Sequence, residues 1–379
     1  MKIACITTSC IPSNTANSIQ AMKVSHSLCQ LGNEIQLWAP CYQTTQWQTL
    51  AEKYGLSKCF PVTWLNFTPG LKQYDFALKS YCAAMQWGAQ LIYTWTLQVA
   101  SIASLCKKPV VMEMHDYPMG HLGPTLFRVF FRAPGKKLIL TTTHALARGL
   151  QEKFKIKIPD HSLQVAPNGT DLERYADLPS PKIARQELHL KDKFTVVYTG
   201  HFYRGRGIEL LLGIARALPH LQFLWIGGRD EDVAPWKKKL SQEKIDNVVI
   251  TGFIENARLP LYQATADLLV MPYEREISAS GGGDIAKVIN PMKMFDYLAC
   301  GRPIIASDIP IFHEILNEKN AYFCPPENVK AWVSGIQWLV DHPQKRKMLA
   351  HQASQDAQRY SWKSRSQTTL IKLDTLLNS

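Results

Sequence analysis

The chain has 379 residues, a formal net charge of +12, 46% hydrophobic and 20% charged residues. That balance excludes a disordered chain, and the length exceeds one ordinary core, so two domains are expected. No apolar run reaches the ~20 residues of a membrane-crossing helix; the nine cysteines, odd in number and without CxxC pairs, argue against a disulfide framework or a zinc site and read as thiols of a reducing cytoplasm.

The charge is uneven. Residues 1–175 carry +8 and the remainder +4, and residues 128–157 hold eight basic residues against one acid. Such a surface suits anions: nucleic acid, acidic lipid head groups or phosphorylated substrates.

In chain order, Lys2–Thr7 is an apolar strand, too short and too soon polar for a signal peptide. The loop that follows, SCIPSNTANSIQ, holds the small residues Ser13, Asn14, Ala16 and Asn17. Ser18 is expected to cap a helix running to Leu31, with Gly32 as its stop. Glu34–Ala39 is the second strand. This opening is Rossmann-like but lacks G-x-G-x-x-G, so dinucleotide binding is not expected.

Leu91–Tyr93 reads as a strand, Leu97–Cys106 as a helix, and Val110–Met114 as a strand ending at His115-Asp116. A histidine at the carboxyl end of a parallel strand either points into the ligand crevice or is a hydrogen-bonded structural residue. In PTLFRVFFRAPGKK (124–137), aromatics alternate with Arg128 and Arg132. The segment is either a helix packed on the sheet by its apolar face or an amphipathic basic surface for anionic membrane. Leu138–Thr141 and Leu163–Ala166 close the first domain's sheet. Pro167-Asn168-Gly169-Thr170-Asp171 is a turn, and Tyr175–Asp192 reads as a linker zone.

The second domain opens with the strand Phe194–Thr199, then Gly200-His201-Phe202-Tyr203-Arg204-Gly205-Arg206-Gly207. Three glycines let the backbone approach a ligand, and the cations suit a diphosphate. A helix over Ile208–Leu218 adds its dipole. Gln222–Gly228, Val248–Gly252, Asp267–Met271 and Pro303–Ala306 continue the sheet. The long loop after Pro272 contains three adjacent glycines, a length that is usually functional or disordered. Asn290-Pro291 starts a helix, MKMFDYLAC, with Met294, Phe295, Leu298 and Ala299 on one face and Gly301 as its stop. Lys293 puts a positive charge in the first turn. Asp296, one turn on, is placed to accept from a sugar hydroxyl; the alternative is a plain α/β unit with a surface Lys and Asp. Residues 343–379 are helical in pattern.

Asp296-Tyr297-Leu298-Ala299 followed by GRPIIASD resembles the nucleotide-sugar site of retaining GT-B glycosyltransferases of the family 4 type. There, two acids eight residues apart precede a G-x-P-I/V-I/V-A-S strand. The first acid's position is Val288 here; Asn290-Pro291-Met292-Lys293 is similar to a branch with a Pro-x-Lys start, and Glu274, Glu276 or Asp284 could stand in for the acid. Glu113-Met114-His115-Asp116, Pro167–Asp171 and Tyr360-Ser361-Trp362-Lys363 also resemble family landmarks, in the family's order.

The resemblance implies an α/β, GT-B fold: two Rossmann-like domains with parallel sheets facing a central cleft. Residues 1–175, with 358–379 packing back on them, would bind the acceptor; 190–357 would bind the donor. It implies that Gly200, His201 (at the family's Arg position), Arg204, Asn290, Pro291, Met292 and Asp296 hold the donor, Asp296 at its ribose. Arg206 (at the family's Lys position) and Lys293 offset the leaving charge, and His115 reaches the transferred sugar. Ser13, Asn14, Ala16 and Asn17 form the loop over phosphates and acceptor. The implied activity is retaining transfer from a nucleoside-diphosphate sugar to a glycan or lipid-linked acceptor, in cell-surface polysaccharide or glycolipid synthesis. No cofactor, metal or nucleic acid is expected, and the expected location is cytoplasmic with peripheral contact on the inner membrane face. The alternatives are another GT-B enzyme, such as a phosphorylase or epimerase, or a non-catalytic binding protein of that fold.

Overall fold

A computed structural model describes residues 1–40, 44–68, 70–71, 73–278 and 284–378. The three adjacent glycines of the long loop, 281–283, lie outside the described residues. The chain forms two compact units, Met1–Asn168 with Trp362–Ser379, and Gly169–Ser361.

The first unit alternates strands and helices: β1 (Lys2–Ile6), α1 (Ala16–Gln30), β2 (Glu34–Pro40), α2 (Trp47–Tyr54), β3 (Val62–Leu65), α3 (Tyr74–Gln86), β4 (Leu91–Thr94), α4 (Leu97–Leu105), β5 (Val110–Met114), α5 (Gly123–Arg132), β6 (Lys137–Thr141), α6 (His144–Phe154) and β7 (Leu163–Val165). The seven strands form one sheet in the order β3-β2-β1-β4-β5-β6-β7. Every pairing is parallel, as in Ile3 opposite Ile35 on one side and Leu91 on the other. The central strands are continuous buried apolar runs because helices cover both sheet faces. The edge strand β3 is only half-buried along its length, which is why its sequence gives a weak signal.

Thr15, not Ser18, caps α1. Thr15 is extended (φ −83°, ψ 148°) and its hydroxyl accepts from the Ser18 N–H. Ser18 sits inside the first turn, its own hydroxyl donating to the Ser13 and Thr15 carbonyls. In α5, Phe127 and Phe130 are fully buried while Val129 is exposed, as are Met119 and Leu122 just before the helix. The apolar face thus packs inward, with a smaller apolar fringe left outside. The C-terminal helix (Trp362–Asn378) belongs to this unit. It buries Trp362, Leu373 and Leu376, and Ser366 Oγ lies 2.6 Å from Ser27 Oγ on α1.

The second unit runs α7 (Pro181–Glu187), β8 (Thr195–Thr199), α8 (Ile208–Ala217), β9 (Gln222–Ile226), α9 (Asp230–Gln242), β10 (Val248–Gly252), α10 (Leu259–Ala264), β11 (Leu268–Met271), α11 (Met292–Cys300), β12 (Ile304–Ser307), β13 (Ala321–Cys324), α12 (Val329–Asp341) and α13 (Pro343–Ala357). Its six parallel strands are ordered β10-β9-β8-β11-β12-β13. The core gathers Trp225, Phe223, Leu211 and Trp332. The 175–192 stretch is anchored in this unit and is not a free linker. Tyr175 is buried and donates to Gln263 Oε1 at 2.9 Å, and Arg185 reaches Asp267 Oδ2 at 2.8 Å.

Each sheet reverses its strand order once, between β1 and β4 and between β8 and β11. Open parallel sheets bind ligands beyond the carboxyl ends of the strands at such reversals.

Candidate active site

In the second unit, the reversal point is occupied by the loop after β8. Gly200 has φ +143°, and a Cβ there would lie 2.6 Å from Lys293 Nζ. Glycine at 200 therefore makes the room that the lysine side chain fills. Lys293 stands in the first turn of α11. Pro291 (φ −70°, ψ 127°) precedes the helix and does not form its first turn, and Gly301 ends it in the left-handed conformation at φ 60°. Burial of Met294, Phe295, Tyr297 and Leu298 fixes the helix face, which decides where Lys293 points.

The Lys293 ammonium is buried and has no hydrogen-bond partner among the described residues. Instead it lies 3.9 Å from the Tyr198 ring centroid and 5.2 Å from that of Tyr273. Burial, and then the charge of Arg206, push its pKa well below the usual lysine range. Arg206 lies over the opposite partner, 5.0 Å from the Tyr273 centroid. His201 stacks on Tyr203 with centroids 4.8 Å apart, and its Nδ1 is buried without a hydrogen-bond partner among the described residues. Burial, Lys293 and Arg206 all push the imidazole down, so it is held neutral. Aromatic faces compensate a cation only partly. A buried charge without a counter-ion is costly, and a group so perturbed is a functional-site candidate.

The other expected donor residues are placed less centrally. Arg204 is exposed and paired with the equally exposed Glu276 at 3.4 Å. Asn290 and Met292 are half-buried and Pro291 is buried at the start of α11. Asp296 Oδ1 accepts from the Thr170 hydroxyl at 2.8 Å, which links α11 to the chain just after Gly169. Of the three acids considered for the Val288 position, Glu276 pairs with Arg204, and Asp284 accepts from the Ile277 and Ala286 N–H groups. Glu274 meets the backbone of the glycine loop: burial pushes its pKa up, and its carboxylate accepts from the Gly207 N–H. Gly207 has φ +75°, and a Cβ on it would strike the Pro272 carbonyl oxygen at 1.7 Å.

In the first unit, a cavity of ≈ 500 Å³ opens at the carboxyl ends of β1, β4 and β5. Thr8, Ser9, Asn17, Trp95 and His115 are among the residues lining it. Of the four expected loop residues only Asn17 lines the cavity. Asn14 and Ala16 are exposed, and the Ser13 N–H donates to Tyr54 Oη at 2.8 Å.

His115 is partly exposed, and its Nε2 lies 3.0 Å from Glu113 Oε1. Glu113 is 1% exposed. Its Oε1 also accepts from Arg365 Nη2 at 2.5 Å and from the Gln20 side-chain amide, and its Oε2 accepts from the Tyr93 hydroxyl. Burial pushes this carboxyl up, but Arg365, His115 and Tyr93 outweigh it and hold the pKa down at about 2. Arg365 further donates to the Ala166 and Pro167 carbonyls. The sequence pattern singled out His115 but not this carboxylate network. The available signal was an acid inside the otherwise apolar strand VVMEM, which requires a buried cation somewhere. The tyrosines that floor the Lys293 pocket were also missed.

Among the described residues, no group of three or more His, Cys, Asp or Glu is placed to hold a metal ion, and no helix is long and apolar enough to cross a membrane.

Two doubly wound, all-parallel units with ligand-competent strand reversals define the GT-B class of glycosyltransferase folds. Over its whole length the chain has the fold of a sucrose-phosphate synthase from Thermosynechococcus elongatus, with TM-score 0.77, 17% identity and 100% of both chains covered. It is similarly close to Anabaena Alr3699/HepE solved in complex with UDP, with TM-score 0.75, 18% identity, and 99% of this chain and 100% of that one covered. Residues 193–342, within the second unit, match the family Glycosyl transferases group 1. In sequence the chain is 24% identical over 210 residues to the alpha-galactosylglucosyldiacylglycerol synthase of Streptococcus pneumoniae, covering 52% of this chain and 53% of that protein. The chain spans about half the length of the curated relatives it matches.

Proposed function

We propose that the chain transfers a sugar from a nucleoside-diphosphate sugar to a hydroxyl of a glycan or lipid-linked acceptor, with retention of anomeric configuration. The observation that carries this reading is Lys293, a buried ammonium without a counter-ion among the described residues, set beside Arg206 against a glycine loop. A diphosphate supplies the missing anion. As the glycosidic bond breaks, negative charge grows on the leaving diphosphate, and preorganised cations stabilise that change more than they stabilise the bound donor. Because Lys293 and Arg206 supply positive charge, the transfer is proposed to need no metal. Asp296 is proposed to hold the ribose, with Thr170 fixing its carboxylate, and His115 to act on the sugar side. The cavity in the first unit, with Asn17 and Trp95, takes the acceptor. Glycolipid or surface-polysaccharide synthesis follows from the kind of relative found, such as the diacylglycerol glycolipid synthase. Arg128, Arg132 and the exposed Met119, Leu122 and Val129 favour peripheral contact with anionic membrane from the cytoplasmic side.

The test is a thermal-shift panel of nucleoside diphosphates and their sugars, followed by a transfer assay with the stabilising donor and NMR of the product anomer. A rise in Tm with one nucleoside diphosphate, retained configuration in the product and turnover in excess chelator are expected. Arg206→Ala should cut turnover sharply, and His115→Ala should reduce it. Full turnover in either variant removes that residue's role. Epimerised donor, or sugar released only with inorganic phosphate, would replace the transferase reading by another activity of the same fold.

A further inference from the structure

We propose that Arg365, on the C-terminal helix, is a positioning residue: by clamping Glu113 it fixes which nitrogen of His115 carries the proton. The functional half of this inference rests on the role proposed above for His115.

The chain of contacts is short and buried. Arg365 Nη2 meets Glu113 Oε1 at 2.5 Å, and the same oxygen lies 3.0 Å from His115 Nε2. An ionised carboxylate only accepts hydrogen bonds. His115 Nε2 must therefore carry a hydrogen, and in a neutral ring Nδ1 becomes the acceptor. The arrangement holds only while Glu113 stays ionised inside a sheet. Gln20 and Tyr93 add neutral donors, but among the described residues only Arg365 brings a full, buried positive charge. The guanidinium is itself immobilised by the Ala166 and Pro167 carbonyls and stacked near Trp362, 5.8 Å from its ring centroid. A residue 252 positions from Glu113 in sequence thus sets the acceptor atom of a side chain that lines the cavity. The same logic operates where a buried carboxylate selects the tautomer of a catalytic histidine: the amide substitution keeps the geometry and loses the function.

The experiment is imidazole ¹⁵N NMR on full-length, histidine-labelled protein without any substrate, with the His115 signal identified by its loss in His115→Asn. The wild type should show the Nε2–H tautomer at neutral pH. Arg365→Lys, which keeps the charge, should keep it. Arg365→Met should lose it. If Arg365→Met does not fold, the double variant Arg365→Met/Glu113→Leu decides, since it strands neither charge: with the acceptor at Oε1 gone, the preference for Nε2–H should be lost. In the transfer assay, each folded variant that changes the tautomer should lower kcat about tenfold or more with the donor KM little changed, and should add little to His115→Ala. An unaltered His115 tautomer in folded Arg365→Met or in Arg365→Met/Glu113→Leu overturns the proposal, as does a wild-type ring protonated on Nδ1. The NMR arm needs no turnover, so it stands or falls separately from the transferase reading, which fails if the wild type transfers no sugar.

Discussion

Glu113 in the first unit and Lys293 in the second are both buried charges at the carboxyl ends of parallel strands, yet they are treated in opposite ways. Glu113 receives donors from Arg365, His115, Gln20 and Tyr93, so its charge is neutralised within the fold. Lys293 has two tyrosine rings, a neighbouring arginine and, among the described residues, no acceptor. A satisfied buried charge serves to hold a side chain in one arrangement. An unsatisfied one stores a cost that an anion relieves on binding. The contrast separates a positioning centre from a binding centre on physical grounds.

The comparison can be tested from its strongest consequence downward. Breaking the satisfied centre should cost most stability. Arg365→Met should destabilise the protein by about 3–5 kcal/mol, the usual penalty for stranding one partner of a buried ion pair, as read by chemical denaturation. The pH dependence has a definite sign. Glu113 has its folded pKa depressed to about 2 from 4.5. Its contribution is therefore full above the unfolded value and is lost as pH falls through that window; in Arg365→Met the acid loss should begin at higher pH.

The unsatisfied centre should behave in reverse. Lys293→Met is expected to reduce donor turnover by about 10²-fold or more, yet to raise the Tm of the unliganded protein, by about 2–4 °C for each kcal/mol relieved. Because the folded pKa of Lys293 is lowered, the unfolded chain binds more protons. Wild-type stability should then rise with pH up to the unfolded lysine value, and Lys293→Met should remove that slope. A Tm that falls on this substitution would mean that the tyrosine rings already satisfy the ammonium, and the contrast with Glu113 would collapse.

Gly200→Ala probes the room made for that ammonium. A methyl 2.6 Å from Nζ, on a backbone at φ +143°, should cost about 1–3 kcal/mol. Donor affinity should fall with it, measured by calorimetric titration of a nucleoside diphosphate. The smallest effect is expected for Thr170→Val, which removes one hydrogen bond to Asp296 and should cost about 1 kcal/mol. A donor ribose bound by Asp296 would show a matching loss in affinity for the nucleoside diphosphate but not for inorganic diphosphate.

Local signals made much of the second unit legible. Apolar runs marked its central strands, the Gly200–Gly207 loop marked the strand reversal, and Lys293 with Gly301 marked a helix of the observed bounds, because each depends on residues a few positions apart. The half-buried edge strand β3 and the cap at Thr15 were harder, since a short polar run offers several hydroxyls that satisfy the same N–H groups.

The chain by itself determined two parallel-sheet units, the glycine loop and the cationic first turn of α11, since glycine conformation, proline stops and apolar periodicity act within a few residues. Tertiary structure decided that Lys293 lies over Tyr198 and Tyr273 with no acceptor among the described residues. It also decided that Arg365, on the last helix, answers Glu113 on a central strand. Burial and charge pairing depend on which distant side chains the fold brings together, and no spacing along the chain encodes that distance.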